Sequence, residues 1–124
     1  MLRRFFSPVL LRLAAIGWSI TISIGCFWPS DHLPDLDTNS DKYLHVLIFL
    51  FFASLWRLAG WSVGRVLVTG ILYAGLIELV QAFAPVINRS GDWLDFAADA
   101  LGLLLGLLIA QAGIRLLGLE PQSS

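Results

Sequence analysis

The residues of this chain best equipped for chemistry fall at three places. Asp41, Lys42 and His45 lie together, Glu78 and Gln81 form a second group, and Asp92, Asp95 and Asp99 a third. An imidazole among carboxylates can move protons, or it can share a divalent cation with them. Read as helices, the three groups have matching phases. Residues 92, 95, 99, 102 and 106 follow steps of three and four and so share one face, which reads Asp, Asp, Asp, Gly, Gly. Glu78, Gln81 and Gly75 share a face, as do Asp41, His45, Ile48 and Phe52. At 1.5 Å per residue, Glu78 lies ~9 Å below Ala84, Asp99 ~10 Å below Asp92 and His45 ~6 Å below Asp41. The sequence therefore predicts ionisable groups from three helices in one shallow layer. Gly102 and Gly106 form a small-xxx-small pair below it, a pattern that lets two helix backbones approach closely.

Ordinary helix physics explains part of this set. Acids in a first turn are stabilised by the helix dipole, which accounts for Asp92 and largely for Asp41, and Ser40 or Asp41 is a candidate N-cap. It does not account for Asp99, two turns in, or for Glu78, near a C-terminus where negative charge is unfavourable. Asp31, Asp35 and Asp37 read as a solvated loop.

The elements that must position these groups are strongly apolar. Of the 124 residues 57% are hydrophobic and 14% charged, with five Trp and eight Phe. A soluble domain of this size leaves roughly a third of its chain surface wet and could not hide so much apolar side chain. The composition excludes a disordered chain and a disulfide scaffold, since Cys26 is the only cysteine. A net charge of −1 gives no basic patch for nucleic acid. Four apolar stretches are long enough for a hydrocarbon core of ~30 Å: about 9–27, 43–61, 63–84 and 93–117. They are continuous rather than alternating, which argues against strands and a closed barrel. The predicted fold is all-α: one domain over 1–124, a bundle of four transmembrane helices, with 118–124 as a disordered tail. Pro85 ends the third span, and Gly60 and Gly64 bracket a short turn. The tryptophans read as interface anchors, except Trp18 in mid-span.

Charge sets the orientation. Arg3, Arg4, Arg12, Arg57, Arg65 and Arg115 fall on one side, Lys42 and Arg89 on the other. Positive residues stay cytoplasmic, so both termini face inward and loops 28–42 and 85–92 outward. Eight of the nine acids lie in the outward half, Glu120 being the exception. Arg3 and Arg4 ahead of a short apolar run also suit a cleaved signal, but a retained first helix is the favoured reading.

The runs Ser40-Asp41-Lys42-Tyr43-Leu44-His45, Glu78-Leu79-Val80-Gln81 and Asp95 to Gly102 resemble the VanZ-like family of small bacterial membrane proteins. That family is marked by D-K-x-x-H opening one helix, E-x-x-Q in the next and D-x-x-x-N-x-x-G opening the last. Arg89 and Ser90 resemble its basic-Ser element, and the likeness covers residues 28 to about 110. Asp99 stands where Asn is commoner, and no acid directly precedes Glu78. The resemblance implies a multi-pass protein of the bacterial plasma membrane. Through the founding member it also implies a link to low-level resistance to the glycopeptide teicoplanin. The layer of ionisable and polar groups itself is expected to form an outward polar pocket, with Asp41, Lys42, His45, Glu78, Gln81, Arg89, Asp95 and Asp99 as its candidate residues.

Four functions compete. The favoured one is binding of a lipid head group or a glycopeptide-related ligand in that pocket. The lipid bilayer is the main partner, and a second copy could pack on the Gly102/Gly106 face. An enzyme acting on a lipid-linked substrate is less favoured, because no nucleophile motif or H-E-x-x-H element is present. No catalytic residue, cofactor or metal is assigned. Proton-coupled transport is weaker still, since the polar layer gives way to Gly102, Gly106 and leucines. The last possibility is a purely structural bundle whose polar groups hold helices in register.

Overall fold

The computed structural model describes residues 8–27, 38–83 and 93–117, and these form four helices. They are α1 (Pro8–Phe27), α2 (Thr38–Leu58), α3 (Val63–Phe83) and α4 (Trp93–Leu117). No strand occurs among the described residues. Two helices, α3 and α4, are long and apolar enough to cross a membrane; α1 carries a shorter apolar segment, Val9–Gly25.

The second helix begins at Thr38, five residues before the apolar span suggested, and stops at Leu58 rather than Trp61. Ser40 and Asp41 consequently lie inside its first turn instead of capping it. The helix runs beyond its apolar stretch at this end. Asp31, Asp35, Asp37, Pro85, Arg89, Ser90, Asp92 and the tail 118–124 lie outside the described residues.

The turn between α2 and α3 is fixed by local chemistry. Gly60 has φ 117°, a left-handed conformation that a Cβ would disfavour. Trp61 N donates to Trp56 O at 3.1 Å and Gly60 N to Arg57 O at 3.2 Å, the paired bonds of a Schellman stop. Ser62 then caps α3, its Oγ accepting from Arg65 N at 3.2 Å. Arg57 Nη1 braces the turn through Trp61 O at 3.1 Å. So short a connection forces α2 and α3 to run antiparallel.

Helices α2 and α4 run parallel. Lys42 meets Asp95, His45 meets Asp99, Ser54 Oγ donates to Gly106 O, and Arg57 Nη2 donates to Gln111 Oε1. These pairs keep a nearly constant offset in sequence, as only parallel neighbours can. An added Cβ on Gly102 would overlap the Val46 carbonyl oxygen, and one on Gly106 the Leu50 carbonyl oxygen. The small-xxx-small pair thus does what its spacing predicted, but within one chain. Both glycines pack against the α2 backbone.

Helix α3 lies against α4 with Gly70 under Leu103 and Gly75 near Phe96, an antiparallel pairing. Its buried residues Val66, Gly70, Ala74, Ile77 and Gln81 step by three and four along one stripe. The core between helices holds Phe49, Phe52, Ala53, Ile77, Leu103 and Leu107. Large apolar side chains also cover the outside of all four helices, among them Leu13, Leu47, Leu72 and Leu108. The alternation of directions gathers the start of α2, the end of α3 and the start of α4 at one end of the bundle.

Candidate functional site

That shared end is where the ionisable residues meet. His45 points from α2 at α4, with Nδ1 2.7 Å from Asp99 Oδ1. One turn of α4 nearer the end, Asp95 Oδ2 lies 3.8 Å from His45 Nε2. The Lys42 ammonium forms an ion pair with Asp95 Oδ1. Lys42 and His45 are three residues apart on α2, and Asp95 and Asp99 four apart on α4, so each pair stacks on one helix face. Glu78 comes from α3 to complete the group. Ligand atoms of His45, Glu78 and Asp99 all lie within 4.8 Å of one another.

Burial grades the cluster. Asp99 has no exposed surface and His45 only 7%, while the Lys42 side chain keeps 22%. Asp99 therefore sits at the floor and Lys42 at the rim. A buried charge is tolerated only when paired, hydrogen-bonded or metal-bound, and this layer supplies such partners from neighbouring helices. Below the cluster, the glycines let α2 and α4 approach to backbone contact.

Seven of the eight pocket residues proposed from sequence fall within the described helices. Lys42, His45, Asp95 and Asp99 form one connected set, and Glu78 joins it. Gln81 is buried on the face of α3 that also carries Ile77. Asp41 lies in the first turn of α2, and Arg89 falls outside the described residues.

A second polar group, not anticipated from the sequence, lies midway along the bundle. Trp18 Nε1 donates to Ile48 O at 2.9 Å and Trp56 Nε1 to Ser19 Oγ at 3.1 Å. Tyr73 OH donates to Ser19 O at 2.9 Å and also contacts Ser23 Oγ. Ser19, Thr21 and Ser23 bond to carbonyls one turn back on α1, at 2.8, 2.8 and 3.1 Å. The group borders a mostly apolar groove of about 540 Å³ between α1 and α3, lined by Ile16, Ile20, Trp56, Leu72 and Tyr73 among others. The signals available beforehand were Trp18 in mid-span and the i, i+4 spacing of Ser19 and Ser23. At the turn end, Trp56 and Trp61 stack at 4.1 Å and the Arg65 guanidinium lies 4.8 Å over Trp61.

These features define a small all-α bundle with a buried cluster of acids, imidazole and ammonium at one end. The VanZ/LLP1 family matches residues 6–116, nearly the whole chain, and the protein belongs to that family. No curated protein and no solved structure matches the chain. The family match extends beyond the residues that carried the resemblance and takes in α1.

Proposed function

We propose that this protein is a multi-pass membrane protein of the bacterial cell envelope, with an outward-facing pocket that binds a lipid head group or a glycopeptide-related ligand. The observation that carries the reading is the convergence of Lys42, His45, Glu78, Asp95 and Asp99 from three helices. Two helices suited to crossing a bilayer and apolar side chains on the outer surface support the membrane setting. In this orientation Arg12, Arg57, Arg65 and Arg115 stand at the cytoplasmic end and the acids at the opposite one. Ionisable groups within an apolar layer are costly, up to about 3 kcal/mol each at mid-bilayer, so inward-facing ones mark a binding or relay site.

In this reading Lys42 at the rim meets an anionic oxygen and His45 the next polar atom. Asp95 and Glu78 accept from donors on the ligand. Binding that alters access of a glycopeptide to the envelope would give the resistance phenotype implied by the family.

Ligand-dependent thermal shifts of the detergent-purified protein test the pocket, using short-chain anionic phospholipid head groups and teicoplanin as probes. A rise in melting temperature that disappears in the Glu78→Ala, Asp99→Ala double variant is expected. An equal rise in the double variant would remove the pocket from the account.

A further inference from the structure

The ligand classes proposed above leave one feature of the cluster unused: three helices each aim a metal-ligating atom at the same small volume. We propose that His45, Glu78 and Asp99 bind a divalent transition-metal cation of the zinc or manganese kind. The inference rests on the reading of this layer as a ligand site and names its first ligand. The sequence alone assigned no metal; the geometry is what changes that assignment.

Three atoms mutually within 4.8 Å admit a point no more than about 2.8 Å from each. Zinc takes nitrogen and carboxylate oxygen at ~2.0–2.2 Å, so each ligand atom must close by less than ~1 Å. Side-chain rotation can supply that much without moving a helix. The helices themselves are held by Gly102 and Gly106 against the α2 backbone.

Donor chemistry selects the ion. Imidazole favours zinc, iron and related ions, and carboxylate oxygen favours harder ones, so a His with two carboxylates suits zinc, manganese or ferrous iron. Three protein donors leave a tetrahedral site with one open position, the arrangement that admits a water or an oxygen of a ligand. An anionic head group could occupy it.

The surroundings match what a metal-bound histidine needs. His45 Nδ1 faces the Asp99 carboxylate, while Nε2 faces Asp95 Oδ2 at 3.8 Å. With Nδ1 on the metal, Nε2–H is directed at a carboxylate that Lys42 in turn holds. The mid-bundle group offers only hydroxyl, indole and phenol, and has no such set.

The test uses the full chain purified in detergent, treated with EDTA and titrated with ZnCl2 and with MnCl2. Bound metal is measured after dialysis by elemental analysis and affinity by calorimetry. One zinc or one manganese per chain is expected. Glu78→Gln and Asp99→Asn, near-isosteric changes, should each weaken binding roughly 100-fold or more, and Asp95→Asn about 10- to 100-fold. Cobalt substitution should add visible absorption bands that Glu78→Gln abolishes. If Asp99→Asn does not fold, Glu78→Gln and the wild-type stoichiometry still decide. Metal-free wild-type protein at millimolar zinc and manganese would overturn the proposal. So would unaltered affinity in the folded variants, which would place the ion elsewhere. Head-group binding that persists after EDTA treatment, with no metal regained, would sink the metal site while leaving the pocket standing.

Discussion

Two polar groups sit inside this bundle, and they are built on different rules. In the mid-bundle group every donor observed has a neutral acceptor, most often a main-chain carbonyl: Trp18 to Ile48 O, Tyr73 to Ser19 O, Ser19 to Ala15 O. The effect of such pairing is to tie α1 to α2 and α3. Among the described residues, the end cluster collects three carboxylates, an imidazole and one ammonium, a set rich in acceptors. The difference teaches which polar burial is structural. Neutral groups bonded to backbone fix helix register, whereas charge gathered from three helices is suited to receive something.

The glycines of α4 serve the end cluster and not the mid-bundle group. Gly102→Ala should cost about 1–3 kcal/mol, because the added methyl meets the Val46 backbone rather than a side chain that can turn away. Gly106→Ala should cost a similar amount through the Leu50 carbonyl. Both should lower the melting temperature in detergent, and Gly102→Ala should also weaken ligand binding, since it parts α2 from α4 beside the cluster. Gly70→Ala should be milder, as it meets the Leu103 side chain rather than backbone. Equal losses at Gly70 and Gly102 would mean that the α2–α4 seam has no special closeness.

Smaller changes sharpen the contrast. Trp18→Phe removes the bond to Ile48 O and should cost about 1 kcal/mol in thermal stability. Head-group thermal shifts should remain as in the wild type. Tyr73→Phe removes the bond to Ser19 O and should cost about 0.6 kcal/mol, the usual size of an interhelical polar contact among apolar surroundings. Loss of ligand response in Tyr73→Phe would show that the mid-bundle group belongs to the site.

How far the sequence carried these conclusions depended on contrast between neighbouring residues. The face of α4 was legible because Asp95, Asp99, Gly102 and Gly106 differ sharply from the leucines around them, and their spacing admits one helical phase. His45 and Glu78 were legible for the same reason. The start of α2 was not, since Thr38 to Asp41 are polar and an apolar span cannot reveal a helix that continues through polar residues. The mid-bundle group escaped notice because Ser, Trp and Tyr are common in apolar helices, and only the approach of α1 to α2 and α3 makes them partners. The role of the glycines was foreseen, but that the helix they admit is α2 is a matter of tertiary packing.

The central claim is that the end cluster is a site and not glue. Its most direct test is a strain deleted for this gene, complemented with wild type or Glu78→Gln at equal membrane levels and scored for glycopeptide susceptibility. The melting temperature of each purified protein is measured alongside. Glu78→Gln should keep the melting temperature within the equivalent of about 1 kcal/mol, as an interhelical polar contact is small, and should fail to restore the phenotype. A melting temperature that falls sharply while the phenotype is fully restored would contradict the account and leave the cluster as structural.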